Sequence, residues 1–171
     1  PRPAARGRTR DPDHRAKGET MLGSMQHQPL LISTLIEHAA QFHGQTEVVS
    51  TLVEGGTHRT DWATIATRSR RLANALGALG VQPGDRVATL AWNTHRHVEL
   101  YFGASGMGAV LHTVNPRLFP EQIDYIINHA ENTYVFFDLS FVDLVRDLAP
   151  RLPGVRGFVA LTDRAHMPAL D

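Results

Sequence analysis

The chain of 171 residues contains no cysteine and a single lysine, Lys17. Without cysteine, disulfides, thiolate metal sites and a cysteine nucleophile are all excluded. No apolar run approaches the roughly 20 residues of a membrane-spanning helix, and no secretory signal with a long apolar centre is present. The formal net charge is zero. We therefore expect a cytoplasmic protein without a transmembrane segment.

The charges are distributed unevenly along the chain. Residues 1–20 carry six basic and three acidic residues, whereas the remainder carries 11 basic and 14 acidic residues. An acidic body lacks the electrostatic footprint of a nucleic-acid binder, so we expect no nucleic-acid partner. The composition of residues 1–20 predicts a disordered basic tail, or sequence upstream of a start at Met21 or Met25. A nucleic-acid arm and a transit peptide are the other interpretations.

After this tail, patterns typical of helices and of strands alternate. Helical spacing begins at Ser33, Thr60, Asn93–Thr94 and Pro120, and again over 141–149. Short strands are predicted over 86–92, 109–114, 134–138 and 157–161, after a hairpin of 47–52 and 58–62. Apolar strands separated by helices predict an α/β fold, with a mostly parallel sheet flanked by helices and a small N-terminal β-hairpin.

The clearest candidate binding residue, Arg117, follows the end of a predicted strand. It lies after Asn115-Pro116 and just before a predicted helix. Ligands of open parallel sheets bind beyond the carboxyl ends of strands, and a guanidinium offers a fork of donors that suits a phosphate. The alternative is a surface ion pair with a residue such as Glu121.

The segment GASGMGAV contains Gly103, Gly106 and Gly108 and invites comparison with a nucleotide-binding loop. A dinucleotide-binding loop follows a strand and opens a helix. Here the glycines follow a predicted helix and precede a strand. We therefore expect them to terminate a helix that packs closely on the sheet.

Polar residues in HRHVE give no metal site. His95 and Glu99 share a helix face, but His97 lies on another face, and two ligands are too few for structural zinc. We expect a solvated helix face and assign neither a metal ligand nor a catalytic residue.

Two further polar residues lie in predicted strands. His112 is expected to be a buried histidine with a hydrogen-bonding neighbour, with a substrate-pocket residue as the alternative. Asp138, at a strand end, is expected either to cap the next helix or form an Asx turn, or to accept a ribose hydroxyl.

The order of these pieces resembles the front part of the adenylate-forming acyl-CoA synthetases. The resemblance rests on a long helix ending in GVQPGDRV, a strand ending in AWN, and then GAVLHTVNPRL before another helix. It covers about residues 29 to 161. HTVNPRLFPEQ and QPLLISTLIEHAA look most like bacterial medium- and long-chain fatty-acyl-CoA ligases, including methylmercaptopropionate ligases.

The resemblance implies an activity and a role for Arg117. Family members use ATP, with Mg²⁺, to activate a fatty or other carboxylic acid, and they pass the acyl group to coenzyme A. The arginine of the N-P-R-L segment binds a phosphate of coenzyme A in a related ligase. Carried over to this sequence, Arg117 is the expected cofactor-binding residue.

The sequence also departs from the family. The phosphate loop T-S-G-T-T-G-x-P-K-G, the later acidic motif for ribose and the C-terminal catalytic lysine are absent. We therefore expect residues 21–171 to be the N-terminal part of the large domain. Alone, this part is expected to be inactive and to bind ATP, Mg²⁺ and coenzyme A only weakly. The alternatives are a non-catalytic binding or assembly module, in which exposed sheet surface favours a homodimer, and a generic nucleotide-binding α/β domain.

Overall fold

The computed structural model describes residues 28–168, and the predicted basic tail lies outside them. These residues form the expected α/β fold, a four-stranded parallel sheet flanked by helices and preceded by an antiparallel hairpin. The elements are α1 Ile32–His43, β1 Glu47–Thr51, β2 Thr57–Asp61, α2 Trp62–Ala78, β3 Arg86–Leu90, α3 His95–Gly106, β4 Val110–Thr113, α4 Pro120–His129, β5 Tyr134–Phe137, α5 Val142–Leu148 and β6 Gly157–Ala160. Short 3₁₀ turns flank α5.

The strands of the sheet are ordered β4-β3-β5-β6, and all three pairings are parallel. Val87 at the centre of the sheet is paired with Leu111 on one side and with Tyr134 on the other. The chain moves from β3 outward to β4 and then crosses back over β3 to form β5. The direction of winding therefore reverses between β3 and β5.

Two apolar cores cover the two faces of the sheet. On one face α2 and α3 pack through Leu76 and Leu100 against Val87. On the other face α4 and α5 pack through side chains such as Ile123 and Leu148. Opposite faces are covered because right-handed crossovers that run in opposite directions place their helices on opposite sides.

The apolar run 109–114 indicates a buried strand, and for β4 this interpretation was wrong. Val110 is 50% exposed, and Thr113 is also exposed. The reason is topological, because β4 pairs only with β3 and forms an edge of the sheet. An apolar run alone does not reveal whether a strand is central or at an edge.

Two predicted helix caps were displaced by one or two residues. α1 begins at Ile32 rather than after Ser33, and the hydroxyl of Thr34 donates to the carbonyl of Leu31. α2 is capped by Asp61 rather than Thr60, because the carboxylate of Asp61 accepts the Thr64 amide proton at 2.7 Å. The predicted position of Pro120 in the first turn of α4 is confirmed.

The glycines of GASGMGAV terminate α3, as expected, but the close packing involves another helix. A Cβ at Gly103 would lie 3.0 Å from the Ser69 carbonyl oxygen and 3.2 Å from Leu72 on α2. Gly108 has φ +90°, which a glycine adopts without strain. The backbone contact at Gly103 is therefore what allows α2 and α3 to approach.

We predict that Gly103→Ala destabilises the fold. The added methyl group meets backbone at 3.0 Å, and overpacking of this kind costs about 1–3 kcal/mol. The higher helix propensity of alanine offsets only about 1 kcal/mol of that loss. Thermal unfolding measures the difference. Gly106→Ala is the matched control, since nothing lies within 4 Å of its added methyl group. Equal melting temperatures for the two variants would contradict the close approach.

Candidate functional site

The loops after β3, β4 and β5 share one edge of the sheet, because the strands are parallel. The loop after β4 carries Arg117. The side chain of Asn115 accepts the Arg117 amide proton at 3.0 Å, and the carbonyl of Asn115 accepts that of Leu118 at 3.3 Å. Leu118 packs against the core and anchors the loop. The result is a tight turn that presents residue 117 at the carboxyl edge.

The side chain of Arg117 is exposed at this edge. Within residues 28–168 it forms no ion pair with Glu121, so the alternative expected from the sequence is not observed. Glu121 instead lies in the first turn of α4, where an acidic residue is stabilised by the helix dipole. The turn therefore fixes the backbone of Arg117, while no ion pair within residues 28–168 holds its guanidinium.

The prediction of a solvated face for His95, His97 and Glu99 was wrong. Their exposures are 4%, 5% and 6% respectively. The hairpin covers the first turn of α3, where the His58 ring stacks on His95 with 3.9 Å between ring centroids. Arg68 from α2 donates to the carboxylate of Glu99 at 2.5 Å. Partners from distant segments thus bury side chains that look surface-exposed in sequence.

Both buried histidines favour the neutral form. Burial lowers the pKa of His95 to about 4, and the nearby His58 and Arg96 act in the same direction. Burial also lowers the pKa of His97, whose Nε2 lies 3.0 Å from the Thr89 hydroxyl. No cluster of three or more metal-ligating His, Cys, Asp or Glu side chains occurs among residues 28–168. These histidines therefore act as neutral packing groups.

A buried ion pair ties three distant segments together. Arg96 at the start of α3 donates to Glu54 in the hairpin turn at 2.8 Å and to the Leu161 carbonyl at 3.1 Å. Thr162, after β6, donates to the same Glu54 oxygen at 2.6 Å. The two charged side chains are only 14% and 3% exposed. Burial raises the pKa of Glu54, but hydrogen bonds led by that from Thr162 outweigh burial and lower it.

Sequence reasoning missed this ion pair. Glu54 lies in a Gly-rich turn and Arg96 on a helix that looked solvated, so nothing local joins them. The two charges are 42 residues apart in sequence, and only the tertiary fold brings them together.

Asp138 is completely buried at the end of β5. Its Oδ2 accepts the Trp92 amide proton at 2.6 Å, which links the ends of β5 and β3. Burial raises the pKa of this carboxyl group. The side chain makes no capping bond to the following turn, so the predicted cap or Asx turn was wrong, and its complete burial does not favour the ribose contact that was the alternative. Asp138 therefore connects the carboxyl ends of β5 and β3 through this hydrogen bond.

The hydrogen-bonding neighbour expected for His112 is confirmed, although the residue is half-buried rather than buried. The Nδ1 of its ring lies 2.9 Å from the side-chain nitrogen of Asn132. The same amide donates to the Ile127 carbonyl at 3.1 Å. His112 thus joins the edge strand to the end of α4.

Across the described residues, every helix is too short or too polar to cross a bilayer.

Comparison with known families identifies the chain. The sequence profile of AMP-binding enzymes matches residues 35–167. The chain belongs to the AMP-binding enzyme family. It is 55% identical over 144 residues to a 3-methylmercaptopropionyl-CoA ligase of Ruegeria lacuscaerulensis, a match that covers 84% of the chain and 27% of that relative. It is also 46% identical over 155 residues to a medium-chain-fatty-acid–CoA ligase of Ectopseudomonas oleovorans, covering 88% of the chain and 28% of that relative.

This member of the AMP-binding enzyme family therefore spans about a quarter of the length of these relatives. Its fold matches a long-chain-fatty-acid CoA ligase structure from Rhodopseudomonas palustris with a TM-score of 0.67 at 28% identity. That match covers 81% of the chain and 34% of the other structure. The anthranilate CoA ligase AuaEII gives the same TM-score at 20% identity and supports the fold alone.

We predict that stability falls in mild acid because of His95. An unfolded histidine has a pKa of about 6.5, whereas that of native His95 is about 4. Between these values the unfolded state binds a proton that the native state does not, so the free energy of unfolding decreases as pH falls. The slope is up to about 1.4 kcal/mol per pH unit for one such group.

The measurement is urea unfolding at several pH values between 4.5 and 7.5. His95→Gln removes the titrating ring and is expected to flatten the profile relative to the parent chain. His129→Gln, on the exposed side of α4, is the control. Parallel profiles for the parent chain and His95→Gln would contradict the assignment.

Proposed function

We propose that this chain forms the N-terminal part of the large domain of a fatty-acyl-CoA ligase. The complete reaction converts ATP, a carboxylic acid and coenzyme A into acyl-CoA, AMP and diphosphate. The observation that carries the proposal is the match of most of the chain to relatives named as medium-chain and 3-methylmercaptopropionyl-CoA ligases. We place the enzyme in the cytoplasm, in line with the absence of cysteine.

Arg117 is the proposed contact for a phosphate of coenzyme A. Three features support this role: its exposure, its place at the carboxyl edge of the sheet, and the Asn115 turn that fixes its backbone. A guanidinium binds phosphate oxygens through two parallel hydrogen bonds, which gives geometric selectivity as well as charge. The residues present therefore fit one phosphate of coenzyme A, and the rest of the ligand requires other segments.

The residues of this chain do not fit a nucleotide triphosphate with its metal. A triphosphate needs a Gly-rich loop that follows a strand, a lysine and ligands for Mg²⁺. The sole lysine, Lys17, lies in the predicted tail, and residues 28–168 contain no metal-ligating cluster. We therefore assign no ATP or Mg²⁺ contact to the residues of this chain.

One observation favours the alternative of a non-catalytic assembly module. Apolar residues of α1 and the segment before it are exposed, including Leu30 at 94% and Leu35 at 63%. The edge strand β4 also exposes Val110. Surfaces of this kind favour a second copy of the chain or another protein segment.

We predict that the 171-residue chain forms no acyl-adenylate from ATP and decanoate, whereas a chain extended through a phosphate loop and the catalytic lysine does. Diphosphate release measures the reaction. Diphosphate release by the 171-residue chain that persists after a second purification would contradict the proposal that this chain alone is inactive. An extended chain that folds but remains inactive with a panel of carboxylic acids would favour the assembly module.

We predict that Arg117→Ala, in the extended active chain, raises the KM for coenzyme A and leaves adenylation nearly unchanged. A hydrogen bond to a charged group contributes about 1.5–3 kcal/mol, which corresponds to a rise of about 10- to 150-fold. Arg117→Lys is expected to restore part of the loss, because lysine keeps the positive charge but lacks the paired N–H donors of the guanidinium.

Arg71→Ala, an exposed arginine on α2, is the matched control. Both half-reactions are measured with thermal unfolding of each variant. If Arg117 only supports the fold, the alanine variant will melt earlier and both half-reactions will weaken together. An unchanged KM for coenzyme A in a stably folded Arg117→Ala variant would contradict the proposed contact with coenzyme A.

A further inference from the structure

A crevice lies at the point where the winding of the sheet reverses. In open parallel sheets ligands bind outside the carboxyl ends of the two strands that flank this reversal, here β3 and β5. The crevice is bounded by Trp92, Asn93 and Thr94 after β3, by Ser140 after β5, and by hairpin residues 49–53, with a volume of about 590 Å³. We propose that it binds a neutral, planar heteroaromatic ring stacked on Trp92.

The lining of the crevice determines the charge of its ligand. Its side chains are apolar or carry hydroxyl and amide groups, and none of them is charged. The guanidinium of Arg96 is already engaged by Glu54 and by the Leu161 carbonyl, so it offers no free positive charge to a ligand. A phosphate or carboxylate would therefore lose its hydration without gaining an opposite charge. The lining favours a neutral molecule.

The indole of Trp92 provides an open aromatic surface that is held in place. It is 41% exposed although it follows a strand whose last four residues are buried. Its Nε1 donates to the Ser140 hydroxyl at 3.2 Å, and its ring packs against Phe141 with 5.2 Å between centroids. A fixed aromatic ring loses little entropy when a flat ligand stacks on it.

The hydroxyl groups around the indole predict which polar atoms the ligand presents. The Oγ1 of Thr94 is buried without a hydrogen-bond partner, and the residue is only 4% exposed. Ser140 already accepts a proton from Trp92, and Ser50 accepts one from the His95 amide, so their own protons remain to be donated. A ligand that carries hydrogen-bond acceptors, such as the ring nitrogens of a heterocycle, can accept the protons of these hydroxyl groups.

The geometry therefore combines an aromatic platform, uncharged donors and a topological position at which parallel sheets bind ligands. The proposal concerns this crevice alone and does not depend on acyl-CoA ligation. Arg117 follows β4 rather than β3 or β5 and has no part in it.

Adenosine is the probe, since it is neutral and planar and carries ring-nitrogen acceptors. In a Trp62→Phe background, Trp92 is the sole tryptophan, so its fluorescence reports on the crevice. We expect saturable quenching by adenosine with a Kd in the millimolar range, since base–aromatic stacking contributes about 1–3 kcal/mol and each hydrogen bond about 0.5–1.5 kcal/mol. AMP is expected to bind more weakly than adenosine, and benzyl alcohol, which has no ring-nitrogen acceptors, more weakly still.

Equilibrium dialysis of adenosine tests the contacts without relying on the indole signal. Trp92→Leu is expected to weaken binding about 5- to 150-fold, and Thr94→Val about 5-fold. Thr94→Val removes an unpartnered hydroxyl and is expected to keep the fold intact, while Tyr125→Leu, an exposed aromatic on α4, is the control. Absence of saturable binding, tighter binding of AMP than of adenosine, or unchanged affinity in both variants would each overturn the proposal.

Discussion

Parallel pairing of β3 on both of its sides is the constraint on which the rest of the structure depends. Parallel neighbours cannot be joined by a tight turn, so each connection must cross a face of the sheet with a helix. The first crossover runs outward and the second returns over β3, which places α3 and α4 on opposite faces. The same geometry brings the carboxyl ends of β3, β4 and β5 to one edge and so creates every candidate site described above.

A second kind of interaction holds the hairpin against this edge. The hairpin packs through Val48 on an apolar cluster of α1 and α2, and it adds specific contacts at this edge: Glu54 with Arg96 and Thr162, Ser50 with the His95 amide, and His58 on His95. Removing one partner of a buried ion pair typically costs about 3–5 kcal/mol, because the other charge remains buried. Such contacts tolerate little variation, and they therefore fix where the hairpin lies.

The sequence predicted the elements more reliably than their surroundings. Strand periodicity, Pro120 and the position of the glycines depend on local backbone preferences, and these predictions are confirmed. The burial of His95 and Glu99 was not predictable in the same way, because helical spacing shows which residues share a face but not what packs on it. The loop carrying Arg117 was placed by strand order, whereas the ion pair of Glu54 depends on contacts across more than 40 residues.

The two candidate sites at the carboxyl edge differ in what they need from their surroundings. The crevice beside Trp92 is already walled by the hairpin, so its stacking surface and hydroxyl groups are preorganised within these residues. Arg117 lies in the open, where water screens its charge and an isolated contact with a phosphate is worth little. Its contribution grows only when another segment covers it and lowers the local dielectric. The proposed contact of Arg117 with a phosphate therefore depends on a further segment that covers the guanidinium, and that segment sets its strength.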